Sequence, residues 1–174
     1  QSVNPKSHIV LTGFMASGKT EISKAIAALS NYTLVDTDDM IVKSTGMSIN
    51  EIFAKYGEDK FREIEHECIC KATKQEGLVI STGGGVVLNK ENMNELRKNG
   101  IIFNLSPDFS VIEERLAAAA ATRPLLKNQN IDDIKKRFND RLPFYADCDY
   151  KIHVVSGRLP KSYALEILGI IERG

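Results

Sequence analysis

Eight consecutive residues constrain this chain more than any other feature. Gly13-Phe14-Met15-Ala16-Ser17-Gly18-Lys19-Thr20 fits the pattern G-x-x-x-x-G-K-[ST]. The flanks fit as well. Ile9 to Thr12 is a short apolar run that reads as a strand, and Lys19 to Leu29 has helical periodicity with Ile22, Ile26 and Leu29 on one stripe. A strand, a glycine-bearing loop and a helix N-terminus in this order form a cradle for an anion. Gly13 and Gly18 permit the backbone angles that turn successive N–H groups inward. The helix adds the positive end of its dipole. Lys19 supplies a point charge for terminal phosphates, and the Thr20 hydroxyl suits Mg²⁺, which prefers hard oxygen ligands. Ala16 and Ser17 complete the loop. The loop implies ATP or a similar nucleoside triphosphate with Mg²⁺ and leaves the phosphate acceptor open.

Beyond the loop, short apolar runs alternate with helical patterns. Strands are expected at 9–12, 33–35, 78–81, 101–105 and 150–155. Helices are expected at 39–45, 49–56, 59–73, 90–98 (with Gly100 as its stop), 109–116, 131–141 and from Pro160 to Ile171. Buried strands separated by helices imply an α/β fold with a parallel sheet covered on both faces. A length of 174 residues suits one domain, 1–174. Residues 37–75 hold more helix than one crossover needs and read as an inserted substrate-binding lobe. Residues 117–130 begin with five alanines, Ala117 to Ala121, and continue into Thr122-Arg123-Pro124. They are expected to be irregular, and read either as a mobile lid or as a stretch whose side chains have been altered.

With 23 basic and 23 acidic residues the formal net charge is zero. No protein-wide field steers nucleic acid or an anionic membrane toward such a chain. No apolar run reaches the ~18 residues of a membrane span. Three cysteines, Cys68, Cys70 and Cys148, argue against a disulfide framework and suit a reducing cytoplasm. His8, His66 and His153 have no ligand spacing, and Lys135-Lys136-Arg137 reads as a solvated helix face.

Three further groups are candidates. Asp36-Thr37-Asp38 follows the second strand at the carboxyl edge, where ligands of parallel sheets sit. In extended backbone Asp36 and Asp38 share a side, one toward Mg²⁺ and one toward an acceptor hydroxyl. Helix capping is the competing role. Gly83-Gly84-Gly85 follows the third strand and allows close approach of backbone to a ligand. Arg62 and Arg141 are each unremarkable alone, Arg62 reading most simply as a solvated helix charge.

Taken together, Gly13–Thr20, Asp36-Thr37-Asp38, Phe61-Arg62, Gly83-Gly84-Gly85, Arg123-Pro124-Leu125-Leu126 and Arg141…Tyr145 resemble the shikimate kinases in order and spacing, from about residue 8 to 172. The resemblance implies a sheet of the P-loop kinase type in the order 2-3-1-4-5. It also implies transfer of the ATP γ-phosphate to the 3-hydroxyl of shikimate, in the chorismate pathway of aromatic amino-acid synthesis. Arg62 and Arg141 would hold the substrate carboxylate, and Asp38 with the backbone of Gly83, Gly84 and Gly85 its hydroxyls. Asp36 would act near Mg²⁺, Glu65 would support the substrate-side network, and Arg123 would close from the lid. Arg115 would contact the nucleotide, with Arg158 and Pro160 beside the adenine. Lys19, Asp38 and Arg123 would form the catalytic set, in a cytoplasmic monomer. The alternative is a related small-molecule kinase, for gluconate or a nucleoside monophosphate.

Two positions depart from the family pattern. Ala16 replaces a frequent glycine, which is harmless if its φ is negative. Glu21 replaces a frequent Ser or Thr and places a carboxylate near the α-phosphate.

Overall fold

A computed structural model describes residues 7–122 and 130–174. Five strands form one sheet: β1 (His8–Thr12), β2 (Thr33–Asp36), β3 (Leu78–Ser81), β4 (Gly100–Pro107) and β5 (Tyr150–Val154). Their order is β2-β3-β1-β4-β5 and every pairing is parallel. The helices among the described residues are α1 (Lys19–Leu29), α2 (Thr37–Thr45), α3 (Ile49–Thr73), α4 (Lys90–Lys98), α5 (Phe109–Thr122), α6 (Ile131–Tyr145) and α7 (Pro160–Arg173). None of them is long and apolar enough to cross a membrane.

The two-residue period of a strand divides the core. Ile9 and Leu11 of β1 join Val79, Phe103 and Ile152 on one face, under Ile22 and Ile26 of α1 and Tyr163 and Ile167 of α7. Val10 joins Ile80 and Ile102 on the other, under Ile69 of α3, Met93 and Leu96 of α4, and Ile134 and Phe138 of α6. β1 and β3 are buried throughout, as both-face coverage demands, whereas the edge strand β2 is partly exposed. The start of β1 is held by His8, fully buried. Its Nδ1 accepts from Leu78 N at 3.0 Å and its Nε2 faces Thr73 O at 3.3 Å. The imidazole therefore serves the sheet.

α2 and α3 carry a small core of their own, Ile41, Ile52, Phe61 and Cys68, apart from the sheet. The chain enters α3 through a capping box, with Ser48 Oγ accepting from Glu51 N at 3.1 Å and Glu51 Oε1 accepting from Ser48 N at 3.0 Å. Gly57 interrupts α3 with φ 84 and ψ 176, so the expected break there is present.

Several boundaries differ from the sequence reading, most by one or two residues and four of them with a consequence for the fold. Gly100 does not stop α4. It opens β4, where a Cβ would meet Leu96 O at 2.6 Å and Val10 Cγ2 at 3.0 Å, so the residue serves close packing. The strand then runs on to Pro107. α5 continues through the alanine run to Thr122, because alanine has the highest helix propensity and needs no packing partner to stay helical. α6 continues past Arg141 and through Pro143 to Tyr145.

Candidate active site

The sheet order places the carboxyl ends of β1, β2 and β3 side by side, and the loops leaving them enclose a cavity of about 530 Å³. Met15 to Glu21 form one wall, Asp36 and Asp38 a second, and Ser81 to Gly85 a third, with Arg141 closing from α6.

The first wall is an anion cradle. Gly18, at φ 101, caps α1, and the helix N-terminus is directed into the cavity. A Cβ on Gly13 would lie 2.6 Å from Ser17 Oγ and 3.1 Å from Leu105 O, so only glycine fits beneath the loop. Ser17 Oγ is buried without a hydrogen-bond partner. Lys19 Nζ donates to Gly13 O at 2.5 Å and Phe14 O at 3.1 Å. Burial lowers its pKa from 10.5 to about 8, with Arg141 acting in the same direction and Asp38 and Asp36 opposing. The charge is poorly compensated, and a polyphosphate would complete it. Ala16 stands at φ 60, the single positive-φ residue other than glycine among those described, so the condition under which its methyl is harmless, a negative φ, is not met. Its carbonyl accepts from Arg115 Nη1 at 2.8 Å.

The two aspartates meet the cavity by a different route from strand alternation. β2 ends at Asp36, whose Oδ1 accepts from Asp39 N at 3.1 Å as the cap of α2. Asp38 already lies in the first helical turn. Its pKa is raised by burial and by Asp36, while Lys19 pulls it down. Between them, buried Thr37 accepts from Gly83 N through Oγ1 at 2.9 Å, a tie between the start of α2 and the loop leaving β3 that the sequence reading missed. A hydroxyl flanked by two aspartates was its only visible signal.

The three glycines do more than loosen a turn. None has a positive φ, so none is required by backbone angle. A Cβ on Gly83 would stand 2.7 Å from Asp38 Oδ1. One on Gly84 would stand 3.1 Å from Arg141 Nη1, and one on Gly85 would stand 2.6 Å from both Nη atoms of Arg62. Each glycine thus makes room for one candidate side chain. Arg62 Nη1 donates to buried Glu65 Oε1 at 3.0 Å, and the exposed Glu58 lies 3.5 Å from Nη2. Burial raises the Glu65 pKa against the pull of Arg62. Arg141 lies over the Phe14 ring, 5.7 Å from its centre, and Tyr145 Oη donates to Gly84 O at 3.0 Å.

Arg115, Arg158 and Pro160 line a second cavity of about 250 Å³ with Ile22 and Tyr163; it shares Ala16, Gly18 and Glu21 with the first. Its walls are mostly apolar, which suits a flat heterocycle. Arg123 lies outside the described residues. Thr20, at the start of α1, and Asp36 are oxygen donors on the first cavity, a donor set that fits Mg²⁺.

A family model described as "Shikimate kinase" matches residues 15–172. The shikimate kinase of Caldicellulosiruptor bescii is 50% identical over 147 residues, covering 84% of this chain and 85% of that one. The shikimate kinase of Thermodesulfovibrio yellowstonii is 44% identical over 167 residues, 95% of each chain. Among solved structures, the shikimate kinase from Acinetobacter baumannii in complex with shikimate superposes with a TM-score of 0.83 at 30% identity, over 95% of this chain and 93% of that one. Agreement over nearly the whole length, in sequence and in fold, makes this chain a member of the shikimate kinase family.

Proposed function

We propose that this protein transfers the γ-phosphoryl group of ATP to the 3-hydroxyl of shikimate, giving shikimate 3-phosphate and ADP. The observation that carries the reading is the pairing of Gly83, Gly84 and Gly85 with Asp38, Arg141 and Arg62. It sets the Arg141 guanidinium and the Asp38 carboxylate on the cavity that holds the phosphate cradle, and the Arg62 guanidinium against Gly85, which lines that cavity. That arrangement suits a small acid bearing hydroxyls.

The loop N–H groups, the α1 N-terminus and Lys19 hold the triphosphate. Arg62 and Arg141 take the acceptor carboxylate; each charge-assisted bond contributes about 1.5–3 kcal/mol. Asp38 orients the attacking hydroxyl and receives its proton, and its raised pKa makes it a better base than an ordinary aspartate. Phosphoryl transfer asks the protein mainly for in-line placement and charge neutralisation. Thr20 and Asp36 would hold Mg²⁺, which would supply neutralising positive charge at the phosphates. Arg123, outside the described residues, is assigned to the transferring phosphate, and Arg115, Arg158 and Pro160 to the base. A cytoplasmic monomer is the form proposed; the three free cysteines suit a reducing compartment.

The test is ADP release from MgATP with shikimate, gluconate, AMP or no acceptor. Release that requires shikimate supports the assignment, and Arg62→Ala then loses most of it through KM. Release only with another acceptor keeps the phosphate cradle and rejects the substrate.

A further inference from the structure

His66 has no place in the chemistry above, yet it is bound into the back of the acceptor site. Its Nδ1 lies 2.6 Å from Asn92 Oδ1. Asn92 is fully buried, and its Nδ2 donates to Val86 O at 3.2 Å. That donation fixes the amide orientation, so Oδ1 faces His66 and the imidazole must carry its proton on Nδ1. Nε2 is left facing Cys70 Sγ at 3.5 Å. Val86 directly follows the glycine triplet, and its N–H closes the turn onto Gly83 O at 3.1 Å.

Arg62 and His66 are four residues apart on α3 and therefore share a face. The glycine segment thus meets α3 at two places one helical turn apart, by close approach at Arg62 and by a hydrogen-bonded relay at His66. In front, Gly85 lies against the Arg62 guanidinium. Behind it, Val86 is tied through Asn92 to His66. We infer that His66 and Asn92 are positioning residues that hold the Gly83–Gly85 segment at its distance from Arg62 and so set affinity for the acceptor. The phosphate cradle hangs from β1 and α1, and among the described residues it has no hydrogen bond to His66, Asn92 or Val86.

The inference rests on the acceptor assignment above, so the acceptor requirement of the wild-type enzyme is established first. If another acceptor is phosphorylated, the same comparison is run with that acceptor. His66→Ala and His66→Leu remove the donor at a half-buried helical position that tolerates either residue. His66→Asn keeps an N–H near the place of Nδ1. A buried amide oxygen left unpaired corresponds to about tenfold in acceptor KM. The expected result is that rise in both donor-free variants, with KM for ATP within about twofold of wild type, and recovery of most of the loss in His66→Asn. Melting temperatures of all three are followed alongside. An equal rise in both KM values, an unchanged acceptor KM, or an asparagine variant no better than alanine overturns the inference. Should alanine prove unstable, the leucine and asparagine pair decides.

Discussion

Gly85 and Arg62 approach so closely that a Cβ on the glycine would stand 2.6 Å from both terminal guanidinium nitrogens and 2.9 Å from Cζ. The backbone of Gly85, at φ −94 and ψ −1, is open to any residue. Gly85→Ala therefore strains no dihedral, and its whole effect falls on the position of Arg62. The guanidinium is the flexible partner and gives way, pulling against its bond to Glu65. The expected outcome is a rise of about tenfold or more in KM for shikimate, from losing one charge-assisted bond, with KM for ATP and melting temperature little changed. Initial rates against each substrate check it. A parallel rise in the ATP constant would show a general disturbance of the site.

Lys19 makes stability and nucleotide binding respond to pH in opposite directions. Its pKa in the folded protein is about 8 against the ordinary lysine value of 10.5, chiefly because of burial. Between these values the unfolded chain binds more protons, so this group makes stability rise with pH across roughly 8 to 10.5. Below pH 8 the buried charge is a constant penalty. Lys19→Met removes it, and the nucleotide-free variant is expected to melt at or above the wild-type temperature at pH 7, the gap narrowing toward pH 10. Affinity for ATP runs the other way. The wild type loses the ammonium above pH 8, so kcat/KM for ATP falls there, while kcat, which reports the phosphate-bound lysine, holds to higher pH. A profile of kcat/KM flat to pH 10 would contradict this.

Ala16 holds the one positive φ outside glycine among the described residues, and its carbonyl is fixed by Arg115. A left-handed conformation costs an alanine about 1–2 kcal/mol. Replacing it by glycine lifts that strain but loosens the unfolded chain by about 0.4–1 kcal/mol. Ala16→Gly should accordingly gain up to about 1 kcal/mol of stability. Ala16→Val, β-branched in the same conformation, should lose more than about 1 kcal/mol. Chemical denaturation of both variants measures this.

Features carried by contiguous residues are legible in the sequence alone. The phosphate loop declares itself in eight neighbouring positions, and Val10 beside Ile9 and Leu11 already says that β1 is covered on two faces. What resists reading depends on neighbours distant along the chain. Gly100 looks like a helix stop until Leu96 O and the Val10 side chain are seen crowding its Cα. Asp36 and Asp38 are expected to align along a strand, and they reach one cavity because the chain turns into a helix between them. The matching of each glycine to one charged side chain has no sequence signature, since Asp38, Arg62 and Arg141 arrive from α2, α3 and α6. Thr37 and the His66–Asn92 tie are hidden for the same reason. The alanine run misleads because it lacks periodicity, although propensity alone supports the helix found there.

Glu21 puts a carboxylate directly after the phosphate loop. It stands in the first turn of α1, exposed, and lines both the phosphate cavity and the apolar cavity beside it. Its one ion-pair partner among the described residues is Lys24 at 3.7 Å, with both side chains more than half exposed, so the carboxylate remains effectively a full negative charge. Two unit charges about 5–6 Å apart in water interact by about 0.7–0.8 kcal/mol, the scale expected for Glu21 against a phosphate bound in the loop. Glu21→Gln keeps the shape and removes the charge. KM for ATP should fall about three- to fourfold, KM for shikimate should stay put, and the difference between the two proteins should shrink as salt is raised. ADP carries the same α-phosphate, so its inhibition constant should fall in step. A glutamine variant that binds ATP no better than wild type at low salt would mean that Glu21 already points away from the nucleotide.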